Sequence, residues 1–295
     1  MTQTVREPVR IVTAHRQREG GGFIVRRPFP THGLDHVDPF LLLDEMGPVD
    51  YGPGEAVGAP DHPHRGFETI TYMLEGQFEH EDSAGHRGVL RPGDVQWMTA
   101  GAGIVHSEMP SREIRDKGGR VHGFQIWVNL PAKLKMTRPR YQEVSGAKIP
   151  QAASADGRAR VRVVAGEALG VGAVIDTYIP IVYQDWTLDE GADVTVPLQK
   201  EQQAMAYVFE GAALVGNEGK DIKDGQLAML GAGDSIRLRG TKGGGRLLLL
   251  AGVPIKEPVA RYGPFVMNTQ DEIVQAVRDY QSGKMGEITR TAEVV

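Results

Sequence analysis

No cysteine occurs among the 295 residues. No disulfide can staple this fold, and no thiolate can act as nucleophile or metal ligand, which fits a reducing compartment. Long apolar runs are missing too. The most apolar stretch, 247–252, is far too short to cross a bilayer and the right length for a buried strand. The opening Met1-Thr2-Gln3-Thr4-Val5-Arg6-Glu7-Pro8 is polar and has no apolar core of a secretory signal. A cytoplasmic protein, without membrane attachment, is expected. Positive charge is in deficit, with 33 Lys and Arg against 38 Asp and Glu. That argues against a nucleic-acid surface spread over the chain and leaves room only for a local basic patch. Helical periodicity is scarce. One absence is positional: all nine histidines lie at or before residue 122, so the second half has none.

What is present reads as strands. Hydrophobic residues make up 40% and charged residues 24%, the balance of a globular protein long enough for two domains. Val9 to Thr13 and Phe23 to Val25 are β-rich and flank Gly20-Gly21-Gly22, an expected opening hairpin. Phe40 to Met46 is an apolar strand expected to stop at Gly47-Pro48. Phe67 to Leu74 is dense in β-branched and aromatic residues and ends at Glu75-Gly76. Turns are expected at 83–85 and 91–94, strands at 95–99, 104–108 and 121–128, and an exposed polar loop at 111–120. Many short strands punctuated by Gly and Pro predict an all-β fold of barrels or sandwiches.

The second half repeats the first in outline. Leu74-Glu75-Gly76 is answered by Phe209-Glu210-Gly211, and Pro92-Gly93-Asp94 by Ala232-Gly233-Asp234. The division expected is an N-terminal barrel at 1–132, a basic linker at 133–142 and a C-terminal barrel at 143–295. Near the end, Thr269 is placed to cap a helix with Asp271 and Glu272 in its first turn. Ile273, Ala276, Val277 and Tyr280 follow at helical spacing, and Ser282-Gly283 ends it. This helix is expected to cover an open barrel edge.

Two short pairs carry the chemistry: His62-Pro63-His64 and His106-Ser107-Glu108. Alternate residues of a strand share a face, so each pair aims both members the same way. Two such strands face to face would converge three imidazoles and one carboxylate on a point, a metal site unlike a helical site or a cysteine frame. Counting the same offsets in the second half lands on Pro197, Gln199, Arg246 and Leu248, which form no ligand set.

The stretches His62-Pro63-His64-Arg65-Gly66-Phe67-Glu68-Thr69, His80-Glu81-Asp82, Pro92-Gly93-Asp94, Gln96-Trp97-Met98-Thr99-Ala100-Gly101, His106-Ser107-Glu108-Met109-Pro110 and the tail from Glu257 to Thr269 resemble the pirin family of the cupin superfamily. The general cupin pattern fits less closely, since Ala56 stands where a glycine is usual. The resemblance implies a bicupin, two jelly-roll barrels with a short C-terminal helix. It also implies one divalent metal in the N-terminal barrel on His62, His64, His106 and Glu108. Iron(II) stands first, with manganese, nickel, cobalt, copper or zinc as alternatives.

It further implies a quercetin 2,3-dioxygenase-like reaction. A flavonol would meet the metal through its hydroxyl and ketone, Glu108 would accept the hydroxyl proton, and O2 would open the heterocycle with loss of carbon monoxide. The rival reading is a non-enzymatic, redox-sensing iron protein acting on a transcription factor or other protein partner. Glu68 shares its parity with the histidines and is read as orienting an imidazole, or as a plain polar strand residue. His80, His86 and His122 are read as loop or strand-end residues. Phe67, Trp97, Met98 and Met109 are candidates to line a pocket above the metal.

Overall fold

The computed structural model describes residues 4–290. Within it the chain separates into two compact units, one of residues 16–25, 42–146 and 255 onward, the other of the residues up to 15, 26–41 and 147–254. This partition interleaves the ends of the chain and differs from the contiguous division at 132 and 143. The reason is strand pairing. Pro8–Thr13 runs antiparallel to Gln226–Leu230 in the sheet of the second half. The tail hairpin Ala260–Tyr262 and Phe265–Met267 instead bridges to Arg65 beside the histidine pair.

The histidine-bearing unit is built on two sheets. The larger has the order Arg140–Val144, Val95–Thr99, Phe67–Glu75, Gly119–Asn129, Phe40–Tyr51, Phe23–Phe29 and His15–Glu19. The smaller has the order Ala59–His64, Ile104–Pro110, Phe78–Asp82 and Arg87–Leu90. In the other unit the order Gln226–Leu230, Gln203–Val215, Ser235–Gly252, Ile181–Leu188, Ala159–Ala165 repeats the middle of the larger sheet. Asp193–Pro197 pairs with Ser235–Gly252 and Lys220–Lys223 with Gln203–Val215, in the places that Ala59–His64 and Arg87–Leu90 hold against Ile104–Pro110 and Phe78–Asp82 in the smaller sheet. Both units are thus β-barrels of one plan, as expected. Among the described residues, no helix is long and apolar enough to cross a membrane.

The shared plan corrects the landmarks. The strand after Pro92-Gly93-Asp94 occupies the place of Gln226–Leu230, whereas Ala232-Gly233-Asp234 precedes the counterpart of Ile104–Pro110. The true counterparts of the histidine strands put Val194 opposite Leu238 and Val196 opposite Ile236. All four lie in an apolar core with Ala206, Ala213, Val215 and Ala228. The second barrel has aliphatic side chains where the first has imidazoles.

Three local expectations also change. Gly47-Pro48 does not stop its strand, which continues from Phe40 to Tyr51. Residues 112–117 are a short helix, α1 (Arg112–Lys117), because Ser111 accepts a hydrogen bond from the Ile114 N–H and Ile114 is buried. The expected basic linker is no solvated spacer. Lys135 is 1% exposed, and its ammonium donates to Gly66 O at 2.8 Å, Asn129 Oδ1 at 2.6 Å and Val266 O at 3.0 Å. Burial lowers its pKa to about 8. The terminal helix forms as read. α2 (Gln270–Gln281) starts at Thr269 with a reciprocal capping box to Glu272. Ile273 and Ala276 pack in a cluster with Val105, Phe265, Met267 and Met285, while Tyr280 is 40% exposed.

Candidate metal centre

His62 and His64 end the strand Ala59–His64, and His106 and Glu108 lie on its antiparallel neighbour Ile104–Pro110, with His106 directly opposite His62. Opposed residues of neighbouring strands share a face, so the register unites the two pairs. The three imidazoles converge: their ligand nitrogens all lie within 4.8 Å of one another, and ring centroids are 4.4 to 4.9 Å apart at steep angles. Two nitrogens on one first-row ion at about 2.1 Å each are at most ~4.2 Å apart, so small ring movements would close the set. Glu108 lies outside that group. Its Oε1 accepts a hydrogen bond from Thr71 Oγ1 at 2.7 Å, across from the larger sheet.

The donor chemistry fits a metal. His62 Nδ1 lies 2.7 Å from Pro60 O, so Nδ1 donates and the Nε2 lone pair is left for a ligand bond. His106 is 1% exposed and, among the described residues, neither of its ring nitrogens has a hydrogen-bond partner, nor has Nδ1 of the buried His64. Buried unpartnered imidazole nitrogens are costly, and a metal ion would satisfy them. Burial, and then the charge of His62, hold His64 and His106 well below the ordinary imidazole pKa. Both are neutral at physiological pH, as metal ligation requires.

The unfolded chain binds protons at these two histidines near the ordinary value of 6.5, and the folded chain resists them. Folding stability is therefore fully present above that value and falls as pH drops below it, by up to about 1.4 kcal/mol per pH unit for each ring. Urea unfolding after chelation, at neutral pH and in mild acid, reads this. A flat profile in His64→Ala/His106→Ala together with a sloped parent would assign the slope to the pair.

The bend at Gly66 decides which neighbours face the metal. Its φ is +90°, and a Cβ there would collide with the Val266 carbonyl. This bend interrupts the two-residue alternation. Phe67, Thr69 and Thr71 take the histidine face, as the Thr71–Glu108 bond records, and Glu68 turns to the other side, where it accepts from Thr99 Oγ1 at 2.6 Å. The reading of Glu68 as sharing the histidine face is thereby corrected. Trp97 pairs with Ile70 and faces away with it, whereas Met98 pairs with Thr69. Met109 alternates away from Glu108. Of the four candidate lining residues, Phe67 and Met98 share the histidine face, with the Phe67 ring 5.1 Å from that of His64.

Other neighbours are residues that the sequence reading does not single out. Trp127 stands 5.3 Å from His64 and 4.4 Å from Phe67, ring to ring, and the Arg261 guanidinium lies 4.9 Å over the Trp127 ring. Gln125 shares a face with Trp127 two residues on. The alternation within 121–128 shows that much, but not which way the face points. His80 and His122 are buried inside strands, not at loops or strand ends. His80 pairs with Glu143 at 2.8 Å and His122 with Glu45 at 2.8 Å. His86 lies in the turn after Asp82, 2.9 Å from its carboxylate.

Comparison with known proteins places these motifs. A family described as Pirin matches residues 22–128, and one described as Pirin C-terminal cupin domain matches residues 183–286. The pirin-like protein of Solanum lycopersicum is 45% identical over 280 residues, 94% of this chain and 92% of that protein. Human pirin is 43% identical over 279 residues, 93% of this chain and 92% of its own. Among solved structures, quercetin 2,3-dioxygenase from Acinetobacter baumannii superposes with a TM-score of 0.91 at 36% identity, covering 97% of this chain and 100% of that one.

Proposed function

This chain belongs to the pirin family, and on that premise we propose that it is a cytoplasmic metal-dependent dioxygenase opening flavonol-type substrates with O2 and releasing carbon monoxide. His62, His64 and His106 would hold one divalent ion, iron(II) first among the candidates, with Glu108 as fourth ligand. The observation that carries the reading is the convergence of three imidazoles with buried, unpartnered nitrogens on His64 and His106. The likeness to the quercetin 2,3-dioxygenase of Acinetobacter baumannii supports the choice of substrate class.

When bound, the ion supplies Lewis acidity toward an adjacent hydroxyl and ketone. The chain supplies the rest. Glu108 is 8% exposed and tied at one oxygen by Thr71, which leaves one oxygen to bind the ion and, once released from it, to take the substrate hydroxyl proton. Phe67 and Trp127 wall the histidine side with aromatic surface against which a flat ring can pack.

A second reading, a regulatory metal protein read by a protein partner, is favoured by one observation. Arg65, next in sequence to His64, is ion-paired at 2.9 Å with Asp279 of α2, which links the histidine strand to the surface helix.

Oxygen uptake and carbon monoxide release with quercetin, by the iron-loaded protein, test the first reading. Turnover with both signals is expected. Metal bound with no oxygen consumed, whichever of iron, manganese, nickel, cobalt or copper is loaded, would overturn it in favour of the second.

A further inference from the structure

We propose that Thr71 and Gln125 are positioning residues that clamp one oxygen of Glu108, so that this carboxylate offers a single oxygen to the histidine cluster. The inference rests on the metal-centre reading and extends it to residues that bind no metal themselves.

Thr71 and Gln125 are directly opposed partners on the neighbouring strands Phe67–Glu75 and Gly119–Asn129. Thr71 Oγ1 lies 2.7 Å from Glu108 Oε1 and 3.1 Å from the oxygen end of the Gln125 amide. A hydroxyl has one proton and cannot donate to both. The carboxylate takes it, being charged and closer. Two oxygens would then face each other without a proton between them. Turning the amide end for end removes the conflict, since the partners alone distinguish its nitrogen from its oxygen. The Gln125 Nε2 then donates to Thr71 Oγ1. Its Oε1 accepts from the hydroxyl of Thr69, which touches the other end of the same amide. Along Thr69, Gln125, Thr71 and Glu108 each contact then has one donor and one acceptor.

This ordering has a direction. Thr69 and Thr71 are 2% and 1% exposed, so hydroxyls at these strand positions are costly unless bonded. The bond from Thr71 occupies Glu108 Oε1, and the amide of Gln125 fixes the Thr71 rotor that makes it. Without the clamp the carboxylate could rotate, offering both oxygens to an ion or neither. With it, the carboxylate is a fixed one-oxygen donor.

Cobalt(II) titration of the full-length protein tests this, with the visible cobalt spectrum and the binding constant as readouts and circular dichroism as the check on folding. Thr71→Val is expected to weaken cobalt binding about 10–100-fold and to change the spectrum. Thr71→Ser should restore both. Gln125→Leu, at a half-buried position, should shift the spectrum in the same sense and covers the case in which Thr71→Val fails to fold. Folded Thr71→Val with the parent's spectrum and affinity, or Gln125→Leu without effect beside a misfolded Thr71→Val, would overturn the clamp and leave the metal centre standing. A parent that takes up no cobalt would overturn both.

Discussion

His106→Ala is expected to reduce the metal content from about one ion per chain to near zero while the metal-free barrel stays folded. The two halves of that expectation have different causes. The His106 ring stands 4.4 Å from that of His62 and 4.9 Å from that of His64, so its loss leaves two imidazoles and no three-sided site. In the metal-free state the same ring contributes little. Both its nitrogens are buried and unpartnered, a cost of about 1–3 kcal/mol that alanine removes. The cavity left behind costs a similar order of energy. The parent should gain about 2.7 kcal/mol of stability when free metal exceeds its Kd a hundredfold, and the variant should gain none. Elemental analysis and thermal melts with and without chelator measure both. A variant that keeps its metal would locate the ion elsewhere. One that unfolds without metal present would make His106 a structural residue.

Asp279→Ala should cost about 3–5 kcal/mol at neutral pH, the loss typical when one partner of a buried ion pair is removed. The Arg65 and Asp279 side chains are only 6% and 11% exposed and meet at 2.9 Å. Arg65 Nε also donates to Ala102 O at 2.6 Å, so the guanidinium cannot swing out to water without breaking a second bond. The other Asp279 oxygen accepts from Lys284 and Gln275, each at 2.8 Å. Lys284 is 65% exposed and recovers its hydration when the carboxylate goes, so the stranded charge of Arg65 dominates the cost.

Hydrogen bonds from Lys284, Arg65 and Gln275 hold the Asp279 carboxyl well below its ordinary value of 3.8. Its contribution is therefore complete above that value and is lost as pH falls through the lower folded value. Urea unfolding should show a large gap between parent and variant at neutral pH that narrows below about pH 3. Equal midpoints at neutral pH would mean that the pair is energetically silent. Since Arg65 follows His64 directly, the variant should also bind metal less tightly.

Much of this was legible in the chain. His62-x-His64 and His106-x-Glu108 announced their shared faces because side chains in a strand repeat every two residues. Thr269 and Glu272 announced a helix start because capping is satisfied within four residues. The lack of histidine after residue 122 confined any such site to one barrel. These features are decided within short windows, where backbone geometry alone sets the outcome.

Tertiary structure decided the rest. The alternation that grouped Glu68 with the histidines fails because Gly66 bends the chain, and the bend exists to let the Val266 carbonyl approach from 200 positions away. In the sequence Lys135 is one cation of a basic linker, and only the carbonyls of Gly66 and Val266 make it a buried one. Trp127 reaches His64, Arg261 covers Trp127 and Thr71 reaches Glu108 through strand register and the return of the tail. A strand's own residues fix which side chains share a face. Which face is turned inward, and what meets it there, depends on partners brought in from the far end of the chain.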